Sequence, residues 1–145
     1  LAEAGWVDSD SDGIRDKNGV KFEFEFLIPS ASDTSEKIST ILKEEMDKVG
    51  IVMNIRKIEW AVFVQRLNER KFDAVTLAWS MGVETDPYQV WHSSQKEGGG
   101  SNFIGFENRQ ADKLIEEART EFDRNKRTEL YRKFISIIHD EQPYT

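Results

Sequence analysis

Between Lys21 and Trp79 the spacing of apolar residues switches repeatedly between two periods, and that switching leaves few folds open. Lys21-Phe22-Glu23-Phe24-Glu25-Phe26-Leu27-Ile28 alternates, with phenylalanines on one face and charge on the other for most of its length, which predicts a strand with one wet face ended by Pro29. Ile38, Ile41, Leu42, Met46 and Val49 then recur at helical spacing. That helix is expected to start at Ser32 or Asp33, with Glu36 completing a capping box from Asp33, and to end at Gly50. Ile51 to Ile58 reads as a second strand and Trp60 to Arg70 as a second helix, with Trp60, Phe63, Val64 and Leu67 facing the core. Asp73 to Trp79 is the third strand. Its uncharged run Ala74-Val75-Thr76-Leu77-Ala78-Trp79 has the character of a strand buried on both faces. Strand, helix, strand, helix, strand at these spacings implies right-handed crossovers. The fold class is α/β, with a mixed, largely parallel sheet and flanking helices.

The remainder continues in helices. A short one is expected from Tyr88 to His92, then a loop from Ser93 to Asn102 carrying Gly98-Gly99-Gly100, then the brief apolar segment Phe103 to Phe106. Asn108 caps a helix running through Phe122 with Ala111, Leu114, Ile115 and Ala118 aligned, and a last helix over about Asn125 to Asp140 carries Leu130, Tyr131, Phe134 and Ile138. No internal repeat or interdomain linker breaks residues 1–145, which read as one unit. Leu1 to Ala4 resemble the last turn of a helix closed by Gly5. The chain lacks an initiator Met and halts straight after a helical pattern, so a fragment of a longer protein is expected.

Charge and residue types exclude several functions. With 27 acidic against 20 basic residues the net charge is -7, which disfavours a nucleic-acid surface. No apolar run is of membrane-spanning length. Without cysteine there is neither disulfide nor thiolate chemistry. No serine or threonine stands in a recognisable nucleophile pattern, His92 and His139 read as packing or surface histidines, and the glycine triplet lacks the lysine of a phosphate loop. No catalytic residue is assigned, and an enzyme is not expected.

Two stretches carry candidate binding chemistry. The first is Asp73 to Pro87, where an apolar strand runs into a loop with Gly82, Glu84 and Asp86, the place at which α/β sheets position ligands. Trp60, Trp79 and Trp91 are candidate apolar walls, Trp60 being assigned to the core instead. The second is Asp8-Ser9-Asp10-Ser11-Asp12-Gly13-Ile14-Arg15-Asp16, whose alternate aspartates and glycine match the front half of an EF-hand calcium loop. Asp8, Asp10, Asp12 and Asp16 are its candidate ligands, but Gly19 stands where the bidentate glutamate belongs. Calcium is a candidate ion and no cofactor is required; the alternative is a solvated Asx-turn loop joining a helix to a strand.

Leu77-Ala78-Trp79-Ser80 through Asp86-Pro87-Tyr88 and Trp91-His92-Ser93-Ser94-Gln95 resemble the extracellular solute-binding proteins of family 5, the oligopeptide and dipeptide receptors of ABC importers. Ala4-Gly5-Trp6 with the aspartate loop, Ser101 to Asn108 followed by Asp112-Lys113-Leu114, and Arg127 to Tyr144 agree with it in the same order. The resemblance implies part of the second, C-terminal lobe of a type II periplasmic-binding-protein-like fold. It implies capture of oligopeptides outside the cytoplasmic membrane, in the periplasm or at the cell surface on a lipoprotein anchor, and delivery to an ABC permease. Oligosaccharides, metal chelates or a calcium-stabilised structural module are the alternatives.

By the same resemblance Ala78, Trp79 and Ser80 pair with the peptide backbone, a mode indifferent to side chains. The family's aspartate for the peptide amino terminus, three residues after the strand tryptophan, is replaced by Gly82, leaving Glu84 or Asp86 to stand in. Trp91 and Asn102 complete the candidate set. Domain closure would use hinges outside this chain. Cleft and interlobe surfaces left uncovered in a fragment favour self-association.

Overall fold

The computed structural model describes residues 1–79 and 86–144, which divide into two compact units, 1–78 and 79–145. The first opens with a 3₁₀ turn, Ala2–Ala4, closed by Gly5 in the left-handed region (φ 82°). Its main element is a three-stranded parallel sheet in the order β4-β3-β5, formed by β3 (Glu23–Pro29), β4 (Val52–Ile58) and β5 (Ala74–Val75). The helices α1 (Asp33–Lys48) and α2 (Trp60–Asn68) connect these strands, as the changes of period require. A two-stranded hairpin, β1 (Asp16–Lys17) and β2 (Val20–Lys21), precedes the sheet. Its turn is Asn18-Gly19, both residues at positive φ (54° and 77°), the backbone of a two-residue hairpin connection.

The alternation in β3 sorts its residues as expected. Phe26, Ile28 and Met53 form a buried cluster, against which Phe24, Ile55 and Ala74 pack together with Leu42 and Met46 of α1. On the opposite face Glu25 meets Arg56 at 2.9 Å and Arg66 of α2 at 3.6 Å, so α2 covers the charged side. There Leu27 is completely buried, as is Phe63, with Leu67 nearly so. Burying a side chain of this size stabilises by about 1.5–3 kcal/mol.

Several helix expectations need correction. Ser32 alone caps α1, accepting from the Ser35 amide, and Glu36 lies a residue too far along for a capping box; it pairs with Lys57 instead. The buried line of α1 runs Ser39–Leu42–Met46, leaving Ile38 and Ile41 exposed. Trp60 is 57% exposed rather than a core residue, because at the first position of α2 it stacks on Phe63 from outside (5.7 Å). The third strand is also shorter and less covered than its composition suggests. Only Ala74 and Val75 pair, with Phe26 and Leu27, and both are half-buried; Thr76 to Trp79 are exposed. The β3–β5 ladder ends at Leu27–Val75, two residues short of Pro29, which has no N–H with which to continue it.

The second unit contains α3 (Tyr88–Trp91), a 3₁₀ turn over Ser93–Lys96, α4 (Arg109–Thr120) and α5 (Arg124–Glu141). Ala111, Leu114, Ile115 and Ala118 all face inward as predicted, and Phe106, Leu114, Ile115 and Phe134 form the core with Trp91, Leu130 and Ile138 packed against it. Asn108 and Asp123 cap α4 and α5 by accepting from backbone amides. Phe122, expected to close the α4 helix, lies outside it and is 98% exposed.

Candidate functional site

In the first unit, the aspartate loop folds onto itself. Val7 and Asp16 form an isolated antiparallel bridge, and Asp16 is buried. Its carboxylate accepts from the Ser9 amide (2.9 Å) and hydroxyl, while the Asp8 carboxylate accepts from the amides of Asp12 (3.1 Å) and Gly13 (3.0 Å). The loop is tied to the end of α1 by Arg15, whose amide donates to Gly50 O (2.7 Å) and whose guanidinium donates to Val49 O (2.8 Å). Gly50 has to be glycine there: φ is +75°, and a Cβ would approach Gly13 O to 2.9 Å. Three of the four candidate ligands, Asp8, Asp10 and Asp16, bring carboxylate oxygens within 4.8 Å of one another. Asp12 turns to Lys21, whose ammonium pairs with it and lies 3.7 Å from Asp10. The donor set suits a hard cation, but an internal ammonium and backbone amides already answer these carboxylates.

At the other stretch, Ala78 ends the first unit, exposed beyond the sheet ladder. Trp79 begins the second, 40% exposed, with its ring stacked on Phe103 at 5.8 Å and 11°. Ser80, Gly82 and Glu84 lie outside the described residues. Asp86 resumes the chain: one carboxylate oxygen accepts from the Tyr88 amide (3.0 Å), and the other from Arg119 Nε (2.9 Å). The Arg119 guanidinium lies over the Tyr88 ring at 4.2 Å, and that ring stacks on His92 at 4.3 Å.

His92 is buried. Its Nδ1 accepts from the Ser94 amide (3.2 Å), which leaves the proton of the neutral ring on Nε2, facing Glu116 at 3.2 Å. The Ser94 hydroxyl is 2.9 Å from Nδ1, a serine–histidine–carboxylate line that the sequence reading missed because its members are two and twenty-four residues apart. That hydroxyl is shared with the Tyr88 phenol (3.0 Å) and Gln95 (3.1 Å), and the histidine caps a 3₁₀ turn. The set does the work of a turn. His139 is exposed.

Trp91 and Asn102 are both committed inside the second unit. Trp91 meets Phe106, Phe134 and Tyr144 edge-on, and burial raises the phenol pKa of Tyr144. Asn102 is 1% exposed; Nδ2 donates to His92 O (3.2 Å) and Phe106 O (2.8 Å), and Oδ1 accepts from the Phe106 amide (2.9 Å). Tyr131 of α5 also has a raised pKa, chiefly from burial and then from the Asp86 charge, opposed by Arg127 and Arg119. Among the described residues no buried side-chain nitrogen or oxygen lacks a partner.

A parallel β4-β3-β5 sheet whose third strand runs out into an exposed tryptophan is an α/β arrangement of the kind that places ligands beyond the strand ends. Residues 1–101 match the model of the bacterial extracellular solute-binding proteins, family 5 (middle part), and the chain belongs to that family. It is 36% identical over 147 aligned residues to the oligopeptide-binding protein AppA of Bacillus subtilis (strain 168), covering all of this chain and 27% of that protein. The solved AppA structure, in complex with a nonapeptide, superposes with a TM-score of 0.84 over 99% of this chain and 29% of AppA. The oligopeptide-binding protein of Thermus thermophilus, solved with a pentapeptide, is 27% identical with a TM-score of 0.79, over 99% of this chain and 27% of the other. The chain thus spans about a quarter of the length of these relatives.

Proposed function

We propose that this chain is part of the C-terminal lobe of an extracytoplasmic receptor that captures oligopeptides and passes them to an ABC permease, without catalysis. The observation that carries the reading is the 36% identity across the whole chain to an oligopeptide-binding protein. Geometry supports it: Thr76 to Trp79 leave the ladder after Val75 and stay exposed, so their backbone groups are open to strand addition by an extended peptide. Ala78 and Trp79 are the contacts we assign, with Ser80, Gly82 and Glu84 continuing the same segment. Asp86, Trp91 and Asn102 anchor the chain that follows it. The receptor works in the periplasm or at the outer cell surface, where a lipid anchor is compatible with the role.

Calorimetric titration of the full-length receptor with nonapeptide mixtures, oligosaccharides and nickel chelates tests the ligand class. Peptide binding alone is expected, with Trp79→Ala weakening it about tenfold, the loss of ~1.4 kcal/mol that an aromatic contact supplies. Binding of sugars or chelates in place of peptides overturns the ligand. Unchanged peptide affinity in Trp79→Ala overturns the site.

For the aspartate loop we propose a structural turn in which the Lys21 ammonium supplies the positive charge beside Asp10 and Asp12. Millimolar calcium is then expected to leave Tm unchanged in the wild type and to raise it in Lys21→Gln, where the carboxylates lose their counter-ion. A calcium-dependent rise in the wild type, abolished by Asp10→Ala, refutes the turn.

A further inference from the structure

The described chain resumes at Asp86, and a polar stripe of α4 grips it there. Asp112, Glu116 and Arg119 are four and then three residues apart, so they share one helix face. Each grips a successive part of the segment Asp86 to Ser93. Asp112 accepts from the Ser93 amide (2.9 Å) and hydroxyl (2.5 Å), and Glu116 faces His92 Nε2 at 3.2 Å. Arg119 reaches furthest back, donating to Asp86 at 2.9 Å and covering Tyr88 at 4.2 Å. Arg119, Tyr88 and His92 form a continuous stack bound to α4 at both ends. α3 has only four residues, too few to be stable alone, and so depends on this template.

The same contacts determine what Asp86 can do. Both of its carboxylate oxygens are engaged, one by a backbone N–H at the start of α3 and one by a guanidinium. The guanidinium already neutralises this half-exposed carboxylate, so a second cation gains less from it.

We infer that the Asp112–Glu116–Arg119 stripe is a positioning clamp for the chain from Asp86 to Ser93, and that Asp86 is part of the clamp and not a counter-ion for a ligand amino terminus. This rests on the peptide reading for its ligand and on the geometry alone for the clamp. Asp86 and Arg119 are therefore positioning residues. Their influence on a ligand passes through the chain from Asp86 to Ser93 that they hold, and should not depend on the ligand's charge.

The test uses the full-length receptor in two arms. Without ligand, hydrogen exchange of amides 88–92 is compared in wild type, Arg119→Ala, Asp86→Asn and the double variant. Removing an exposed ion pair and a cation–π contact is expected to speed exchange about fivefold, with the double variant no faster than either single one and Arg119→Lys closer to wild type. Unchanged exchange in Arg119→Ala overturns the clamp. In the second arm, affinity is measured for a nonapeptide library with free and with acetylated amino termini. Equal weakening of both forms, about fivefold in Arg119→Ala and in Asp86→Asn, is the expected result. Asp86→Asn weakening only the free form, or Arg119→Ala strengthening it, makes Asp86 the ligand's counter-ion and overturns the inference, as does faster exchange with unchanged affinity. A wild-type receptor that binds neither library overturns the peptide reading instead, and the exchange arm still decides the clamp.

Discussion

Asn102 offers the sharpest test of how the second unit is held together. Its amide is 1% exposed and makes three hydrogen bonds, to His92 O, Phe106 O and the Phe106 amide, which fix the whole span from Ser93 to Phe106. Asn102→Ala strands one buried carbonyl and one buried N–H at Phe106 and removes one of two donors from His92 O, which keeps the Gln95 amide (2.9 Å). Three hydrogen bonds at about 1 kcal/mol each make the expected destabilisation about 3 kcal/mol. Asn102→Asp keeps the acceptor for Phe106 N–H but turns a second oxygen toward two carbonyls, and should destabilise more, although it is nearly isosteric. Urea unfolding followed by tryptophan fluorescence reads both. With a slope of about 2 kcal/mol/M, Asn102→Ala moves the midpoint down by about 1.5 M, and Asn102→Asp moves it further. A shift under about 0.3 M for Asn102→Ala, or Asn102→Asp milder than Asn102→Ala, would refute the assignment of this amide as the bracket of the loop. A ligand-contact role predicts a different pattern, in which affinity falls while the midpoint holds.

Two further outcomes follow from burial. Phe63→Ala should cost about 3–5 kcal/mol because the ring is completely buried, whereas Trp60→Ala, one helical turn earlier and 57% exposed, should cost under about 1.5 kcal/mol; comparable losses in a urea titration would contradict the placement of Trp60. Stability should fall in alkali, since Tyr131 and Tyr144 have phenols whose pKa is raised in the folded state. Above the unfolded phenol value of about 10 the unfolded chain has fewer protons than the folded one, so unfolding is favoured as pH rises further. Comparing urea midpoints at pH 9 and 11 checks this: the drop should shrink in the Tyr131→Phe, Tyr144→Phe double variant, and an equal drop would refute it.

Most of the architecture was open to reading because it is written in periodicity. The alternation of Phe22, Phe24 and Phe26 against Glu23 and Glu25 places β3 and its charged face correctly, since a pleated strand allows no other sorting. The aligned Ala111, Leu114, Ile115 and Ala118 do the same for α4. The exceptions occur where partners outrank pattern. Ala74 to Trp79 has strand composition, but a strand lasts only as long as its neighbour can donate, and Pro29 ends that supply. Ile38 and Ile41 share the apolar stripe of α1 but stay exposed, outside the cluster that Leu42 and Met46 join. The hairpin at Asn18-Gly19 was signalled by its dipeptide, whose two positive φ angles suit that turn, yet a search for calcium ligands passes over it.

The candidate site was legible in a different way. Aromatic and acidic residues around the strand exit could be picked out by type, but their division of labour depends on contacts across twenty to thirty residues that no local pattern contains. Trp79 and Asp86 look equivalent as ligand candidates in the sequence. In the fold, Trp79 keeps 40% of its surface and a stacked ring, while Asp86 is spent on Tyr88 and Arg119. Trp91 and Asn102 are drawn further inward, into the core and the loop bracket. This gradient from exposed to committed side chains suits backbone recognition. A receptor that accepts many peptide sequences gains little from charged groups aimed at side chains, and more from a rigid strand end whose open N–H and C=O groups are held in register. The α4 stripe and the Asn102 bracket fix the chain from Asp86 to Phe106, and under the proposed reading these polar residues serve recognition by fixing backbone rather than by touching ligand.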